Sequence, residues 1–242
     1  MKILGIIPAR FGSTRFPGKP LIDIDGKTMI QRVYEQAKQT TALADVMVAT
    51  DDDRIFDEVA RFGGKVVMTS PNHQSGTDRC AEVLNKLNEH FDVVINIQGD
   101  EPFIDPKQIN QLCNCFLDDK TQIATLIKRI TDQHDLFNEN KVKVIFNVNQ
   151  FAIYFSRNAI PFFSGETQEN WLKKHSYFKH IGIYGYKTEV LKTITALKPS
   201  TLELAEGLEQ LRWLENSYNI KVAETDLEAI AIDTPDDLKK IK

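Results

Sequence analysis

Cysteine is scarce in this chain of 242 residues, which contains only Cys80, Cys113 and Cys115. An odd number without the paired spacing of zinc ligands favours reduced thiols over a disulfide framework or a metal centre. An excess of positive charge is also lacking, because 30 basic residues face 34 acidic ones and the net charge is -4. That balance gives no reason to expect nucleic acid as a partner.

No apolar run approaches the length of a membrane-spanning helix, so we expect no membrane segment. Met1 and Lys2 lead into an apolar run without the pattern of a secretion signal, which favours a cytoplasmic protein. The chain also lacks the P-loop pattern and the glycine pattern of dinucleotide-binding folds. These absences argue against a P-loop ATPase and a dehydrogenase.

Apolar runs alternate with helix-like stretches in the first half of the chain. The runs lack strict alternation and predict buried parallel strands over 3–7, 45–49, 65–68 and 93–97. The stretches after them predict helices over 28–39, 54–62, 78–88 and 106–117. This order of strands and helices predicts a doubly wound α/β sheet.

From residue 122 onward the pattern changes. We expect strands over 124–127, 142–147, 152–156 and 180–186, a polar insertion between Phe162 and Lys179, and helices over 200–216 and 234–241. Mixed strand directions fit this half better than further βαβ repeats, so we predict a mostly parallel mixed sheet with a smaller second lobe beginning near Thr121.

A loop rich in cations, glycines and hydroxyls follows the first apolar run. It carries Arg10, Ser13, Thr14, Arg15 and Lys19, together with two glycines. The carboxyl end of a strand is where open α/β folds bind ligands, and glycines allow backbone amides to approach an anion. The loop therefore predicts a binding site for a nucleoside triphosphate, the alternative being a solvated basic loop.

Asp100 follows the apolar run 93–97, which places it at the same sheet edge as the basic loop. A carboxylate there can ligate magnesium, and the alternative is a cap on a turn or on the helix near Pro106. Helix capping accounts for Asp51, Asp52 and Asp53 about as well as a role in the site, so we leave them out of the catalytic set.

Residues with possible roles in sugar binding lie in the second half. Strand alternation puts His180, Tyr184 and Tyr186 on one face, which is also compatible with ordinary cross-strand contacts. Arg157 ends a strand and could pair with a carboxylate of a ligand or form a structural ion pair.

A capping box from Ser200 to Glu203 predicts the start of a long helix. Its buried stripe is predicted to contain Leu204, Leu208, Leu211 and Leu214. Glu209 and Gln210 lie off this stripe and would by themselves be a solvated face.

Several segments together carry a resemblance to a known family. They are residues 8–15, 17–21, 48–51, 73–79, 98–102, 154–157, 180–186, 208–212 and 233–235. In order and over nearly the whole chain, they resemble the sugar-acid cytidylyltransferases, and among these the enzymes that act on 3-deoxy-manno-octulosonate (Kdo). The insertion over 165–179 departs from the motifs of the family.

The resemblance implies a Rossmann-like, three-layer α/β/α nucleotidyltransferase domain over 1–242. Its nucleotide-binding part is expected over 1–120, and its sugar-binding and dimerisation part over 121–242. The implied reaction transfers CMP from CTP to Kdo for lipopolysaccharide biosynthesis, with Mg²⁺ as cofactor and a homodimer as the assembly. The base and the sugar both come from the resemblance.

The resemblance also assigns residues to the site. Asp100 and Asp233 are expected to hold Mg²⁺, and Arg10, Arg15, Lys19 and Asp100 to be catalytic. The nucleotide pocket would be formed by Arg10, Ser13, Arg15, Lys19, Gln74, Ser75, Gly76, Arg79, Gln98 and Asp100. Kdo would contact Arg157, His180, Tyr184, Glu209 and Gln210.

Two other functions stay open at this point. One is a cytidylyltransferase for another acid sugar, such as 8-amino-Kdo or a sialic acid; the sialic acid enzymes have a different loop, without the combination of 13–15 and 17–19, which disfavours them. A non-catalytic nucleotide-binding module would keep the pocket but need neither Asp100 nor Asp233.

Overall fold

A computed structural model describes residues 1–12 and 16–240. Its strands are β1 (Ile3–Ala9), β2 (Asp23–Ile24), β3 (Lys27–Thr28), β4 (Asp45–Thr50), β5 (Val66–Met68), β6 (Val93–Asn96), β7 (Ile123–Arg129), β8 (Lys143–Phe146), β9 (Ala152–Ser156), β10 (Phe178–Lys187) and β11 (Ile220–Glu224). Its α-helices are α1 (Met29–Lys38), α2 (Asp53–Arg61), α3 (Gly76–Lys86), α4 (Pro106–Asn114), α5 (Gln133–Phe137), α6 (Trp171–Lys174), α7 (Thr188–Ile194), α8 (Thr201–Glu206) and α9 (Gln210–Glu215). Short 3-10 helices span Lys19–Leu21, Cys115–Leu117, Gln168–Asn170 and Pro235–Lys240.

Contacts between residues divide the chain into two compact units. The first unit contains residues 1–114, 183–195 and 229–242, and the second contains residues 115–182 and 196–228. Each unit is therefore assembled from separate stretches of the sequence. The predicted division into parts over 1–120 and 121–242 concerns ligand roles and stays a prediction.

The first unit is built on parallel strands in the order β6, β1, β4, β5. Residues 184–187 of β10 pair antiparallel with β6. Helix α1 packs on β1, β4 and α4, and α3 packs on β1, β4, β6 and α7. This arrangement confirms the predicted α/β fold with a mostly parallel, mixed sheet.

Side chains at the helix starts explain where the first-unit helices begin. Thr28 accepts a hydrogen bond from the amide of Gln31 at α1, and Asp52 accepts one from Arg54 at α2. Ser75 and Asp78 form a capping box, so α3 begins at Gly76, two residues before the predicted start. Each cap satisfies an amide that the helix itself cannot pair.

In the second unit, β11 runs parallel to β7, and β8 pairs antiparallel with β9 and with the first half of β10. The segment predicted as a polar insertion contributes to a small core here. Trp171 and Tyr177 are buried and pack with Ile130 and Leu136. The insertion, polar in most of its residues, is therefore anchored to the second unit by these aromatic side chains.

The predicted helix over 200–216 is two helices. Gly207 follows α8 with a φ of 63°, a left-handed conformation that ends a helix, and α9 starts at Gln210. Leu211 is fully buried, whereas Leu204 is 72% exposed. The leucine stripe is thus wrong at Leu204, because the break turns α8 to a different orientation.

Two other helix predictions need correction. The helix predicted over 106–117 ends as α4 at Asn114 and is followed by the 3-10 turn Cys115–Leu117. The helix predicted over 234–241 is a 3-10 helix over Pro235–Lys240, and residue 241 lies outside the described residues. In the described part of the chain, no helix is long and apolar enough to cross a membrane.

Candidate active site

The basic loop after β1 is closed by backbone contacts. The amide of Gly18 donates to the carbonyl of Phe11 at 2.9 Å, and Gly18 has a φ of 72°. A Cβ on Gly18 would lie 3.0 Å from the ring of Phe11, so glycine suits this position for conformation and for space. The guanidinium of Arg54 lies over the ring of Phe11, with Cζ 3.3 Å from the ring centroid.

The predicted phosphate ligands of this loop are only partly described. Arg10 is exposed, and Lys19 begins the 3-10 helix that follows the loop. Ser13, Thr14 and Arg15 lie outside the described residues, so the roles given to Ser13 and Arg15 stay predictions.

Lys19 brings together the two predicted magnesium ligands. Its Nζ lies 2.8 Å from Oδ2 of Asp100 and 3.4 Å from Oδ1 of Asp233, two carboxylates separated by most of the chain. The side chain of Lys19 is 13% exposed, while the side chains of Asp100 and Asp233 are 28% and 41% exposed. The cluster is therefore open to a ligand on its acidic side.

Close backbone contacts fix this geometry. The amide of Ile97 at the end of β6 donates to Ile6 of β1 at 2.8 Å, and a Cβ on Gly99 would lie 2.8 Å from the carbonyl oxygen of Pro8. Only glycine allows that approach, which carries the chain directly to Asp100. The amide of Ile232 then donates to the carbonyl of Asp100 at 2.9 Å.

The segment around Asp233 is anchored on both sides. Ile232 is fully buried in a cluster with Ile24 and Met29. On the other side, Asp237 accepts hydrogen bonds from the amides of Asp233 and Thr234 at 3.0 and 2.8 Å. The carboxylate of Asp233 is left to face Lys19.

The capping alternative for Asp100 is not supported. Asp105 accepts a hydrogen bond from the amide of Lys107 at 2.8 Å in the first turn of α4, which is the role that the alternative gave to Asp100. Two converging carboxylates are a suitable donor set for Mg²⁺, which keeps several waters and phosphate oxygens among its ligands. Among the described residues, no group of three or more His, Cys, Asp or Glu side chains could hold a metal.

The segment predicted to bound the nucleotide lies at the start of α3. Gln74 is exposed, Ser75 caps the helix, and a Cβ on Gly76 would lie 3.3 Å from Pro8. Gln98 is half-buried after β6. These residues therefore reach the same end of the sheet as Asp100.

Unlike Gln74, Ser75 and Gly76, Arg79 is buried. Its guanidinium donates to Asp51 at 3.0 Å and to the hydroxyl of Thr69. Asp51 thus partners Arg79, while Asp52 caps α2. This arrangement ties α3 to the carboxyl ends of β4 and β5.

Glu82 supports the loop before α3. It accepts hydrogen bonds from the amide of Ser70 and from His73, and forms an ion pair with Lys86 at 2.8 Å. Burial opposes ionisation of this carboxyl, but Lys86, the Ser70 amide and His73 outweigh it and lower the pKa of Glu82 to about 2. The loop over 70–75 is therefore held by a permanent negative charge.

The predicted sugar-binding residues are divided between the units. Tyr184 lies in the first unit, where its ring stacks on Tyr186 at 6.0 Å, which confirms that the two tyrosines share a face of β10. His180 lies in the second unit, with Nε2 2.9 Å from the hydroxyl of Thr125 and its ring edge-on to Phe155. Burial lowers the pKa of His180 to about 4, so the imidazole is neutral at pH 7.

Arg157 makes backbone contacts in the second unit. Its guanidinium donates to the carbonyls of Glu206 at 2.7 Å, Glu139 at 3.1 Å and Gly207 at 3.5 Å. Gln210 is buried, whereas helix periodicity alone would put it on a solvated face; its predicted contact with the sugar stays a prediction. The break at Gly207 turns Gln210 inward.

Comparison with known proteins decides the family. A cytidylyltransferase family model matches residues 4–224. The chain belongs to the cytidylyltransferase family. Cytidylyltransferases similar to this chain include the 3-deoxy-manno-octulosonate cytidylyltransferases of Bacteroides thetaiotaomicron and Parabacteroides distasonis. The first is 61% identical, covering 99% of this chain and 96% of the relative, and the second is 58% identical with the same coverage.

A solved cytidylyltransferase structure is also similar over the full length. It is CMP:2-keto-3-deoxy-manno-octonic acid synthetase complexed with CTP, which is 43% identical, with a TM-score of 0.92 and coverage of 100% of this chain and 97% of that chain. The family resemblance found in the sequence is therefore confirmed.

Two residues that contact Arg157 were missed by sequence reasoning. Lys143 is fully buried within β8, and its position inside an apolar run was a signal for a special environment. Glu206 accepts hydrogen bonds from Ser156 and Arg157, about fifty residues earlier in the chain. Contacts at that separation leave no local pattern.

Proposed function

We propose that this chain transfers CMP from CTP to Kdo, giving CMP-Kdo and pyrophosphate, and thereby activates Kdo for lipopolysaccharide biosynthesis. The observation that carries the proposal is the convergence of Lys19, Asp100 and Asp233 on one point. It occurs in a chain whose full-length relatives bear the name 3-deoxy-manno-octulosonate cytidylyltransferase.

The reaction is a displacement at phosphorus. The anomeric hydroxyl oxygen of Kdo forms a bond to the α-phosphorus of CTP, the bond from that phosphorus to the bridging oxygen breaks, and pyrophosphate leaves with the electron pair. The hydroxyl proton passes to water. Catalysis of such a step consists mainly of positioning and charge stabilisation.

The cationic and the anionic residues of the site have different roles in this reaction. Lys19, Arg10 and Arg15 would hold phosphate oxygens, and Asp100 and Asp233 would hold Mg²⁺. The metal supplies neutralisation of negative charge on the triphosphate. The nucleotide would lie against Ser13, Gln74, Ser75, Gly76 and Gln98, with Arg79 supporting α3 from beneath.

The sugar acid would contact Arg157, His180, Tyr184, Glu209 and Gln210, the residues that the family resemblance assigns to it. A neutral His180 and a buried Gln210 are hydrogen-bonding groups suited to sugar hydroxyls. We place the enzyme in the cytoplasm as a homodimer, in line with the sequence prediction.

Pyrophosphate release tests the proposal. The purified chain is incubated with CTP and Mg²⁺ and with Kdo, 8-amino-Kdo or a sialic acid, and UTP and ATP replace CTP in control reactions. We expect release with CTP and Kdo only. Release with another acid sugar would keep the reaction and change the substrate, whereas no release with any pair would favour a nucleotide-binding module.

A further inference from the structure

A network of hydrogen bonds in the second unit joins the end of β9 to the end of α8. The carboxylate of Glu206 accepts from the hydroxyl of Ser156 at 2.7 Å and from the amide of Arg157 at 2.9 Å. The carbonyl of the same Glu206 accepts from Nε of Arg157 at 2.7 Å. We call Ser156, Arg157, Glu206 and Gly207 the Glu206 network.

Lys143 of β8 supports this network at the end of the neighbouring strand β9. It is fully buried opposite Ser156 in the β8–β9 pairing, and its Nζ donates to the carbonyls of Arg157 and Asn138. Burial lowers the pKa of Lys143, an effect that the nearby charge of Glu206 opposes. A buried cation is costly unless polar groups surround it, and the carbonyls of Asn138 and Arg157, with the nearby charge of Glu206, favour the ammonium form of Lys143.

The network holds the turn that leads to two predicted sugar ligands. Gly207 ends α8 in the left-handed conformation, and the amide of Leu208 donates to Glu203 at 3.2 Å. Glu209 and Gln210 follow immediately, Glu209 as the N-cap residue of α9 and Gln210 as its first residue. The position of this turn therefore depends on where Glu206 is held.

The geometry points to Glu206 as a positioning residue for the acid sugar, acting through Arg157 and the turn over 207–210. The inference rests on the proposed function, because it takes Glu209 and Gln210 as ligands of Kdo. Glu206 itself is occupied by contacts to β9, so its effect on the substrate is transmitted by the backbone. Displacement of a ligand by about 1 Å is enough to lower catalytic efficiency strongly.

Kinetics of Glu206→Ala test this role. We expect the KM for Kdo to rise about tenfold or more, while the KM for CTP stays within about twofold of the wild type. Ser156→Ala removes one of the two bonds to the Glu206 carboxylate, together with the bond that Ser156 accepts from the amide of Asn158, and changes the volume little. It should raise the KM for Kdo by a smaller factor. It also serves as the second variant if Glu206→Ala does not fold.

Two further variants separate positioning from stability. Glu206→Gln can still accept from the amide of Arg157 and donate to Ser156, so it should restore most of the affinity for Kdo. Glu215→Ala is the matched control, because Glu215 accepts from Thr201 and from the amide of Leu202 on the same helix pair. It should lower the melting temperature without changing the KM for Kdo.

The outcomes distinguish this inference from the proposed function. A wild-type protein that releases no pyrophosphate with any sugar overturns both. An active wild type whose Glu206→Ala and Ser156→Ala variants keep the KM for Kdo overturns the role of Glu206 alone. Equal increases in the KM values for Kdo and CTP would also overturn it, since they would indicate a general loss of structure.

Discussion

At the scale of single residues, the candidate active site is an arrangement of charged groups around Lys19. One ammonium group lies between two carboxylates, so the three side chains together carry one negative charge. An acidic cluster of this kind attracts a cation, while Lys19 is a suitable partner for phosphate. Groups that attract a cation and a group that attracts phosphate therefore lie at one point, as a metal-dependent reaction of a nucleotide requires.

Asp100→Asn is expected to lower turnover on the order of a hundredfold or more, because the amide lacks the charge that holds a divalent metal. The measurement is pyrophosphate release at saturating CTP, Kdo and Mg²⁺. Asp105→Asn is the control, since Asp105 caps α4 and should be nearly neutral for turnover. Similar turnover in the two variants would contradict the metal-binding role.

The low pKa of His180 gives the fold a dependence on pH. An unfolded histidine takes up a proton near pH 6.5, whereas the folded one does so only near pH 4. Between these values the unfolded state binds more protons, so stability falls as the pH falls. The full effect is about 3 kcal/mol, and it is absent above pH 6.5.

Urea unfolding at neutral pH and at about pH 5 measures this effect. His180→Gln should lose less stability on acidification than the wild type, whatever its stability at neutral pH. His90→Gln changes an exposed histidine and should keep the wild-type dependence. An unchanged dependence in His180→Gln would show that other groups cause it.

Sequence reasoning identified the predicted metal ligands Asp100 and Asp233 but not the contacts that hold the proposed site residues in place. Asp100 follows a buried strand, which is a local signal, and the family resemblance supplied Asp233. The structure was needed to find that Lys19 contacts both acids, because residue 233 is distant in sequence from residues 19 and 100. Lys143 and Glu206 were missed for the same reason, since their partners lie on other elements.

At the scale of elements, the break between α8 and α9 is the main difference from the sequence prediction. Leucines at helical spacing continue across residues 204–214 and predict one helix. The competing signal was Gly207, the usual residue for ending a helix in the left-handed conformation. The strands of the first unit were predicted well, because buried parallel strands appear as continuous apolar runs.

A pair of leucine variants tests the break. Leu211→Ala should destabilise the protein by about 2–5 kcal/mol, because Leu211 is fully buried. Leu204→Ala should change stability by less than about 0.5 kcal/mol, because Leu204 is largely exposed. The measurement is the free energy of unfolding in urea, and equal losses would support the single helix.

At the scale of the whole molecule, the two units are interleaved along the chain. Residues 183–195 and 229–242 return to the first unit after the chain has entered the second. The site acids Asp100 and Asp233 both belong to the first unit, although much of the second unit lies between them in sequence. A division of the sequence at a single boundary cannot represent this arrangement.

The predicted homodimer is tested by light scattering, which should give twice the mass of one chain. In the second unit, Val148 and Ile153 are 99% and 57% exposed, and such apolar side chains are candidates for a subunit contact. Ile153→Glu should therefore weaken the dimer. Ile230→Glu, in the first unit, is the control, and a wild-type monomer at all concentrations would refute the dimer.

The late return of the chain to the first unit also bears on protein synthesis. A nascent chain that has emerged only as far as residue 228 contains Asp100 but not Asp233, so the two acids cannot yet meet. The buried Ile232, which packs with Ile24 and Met29, is missing at that stage as well. Metal-dependent activity would then begin only after this last segment has left the ribosome, and interrupted translation would yield an inactive polypeptide.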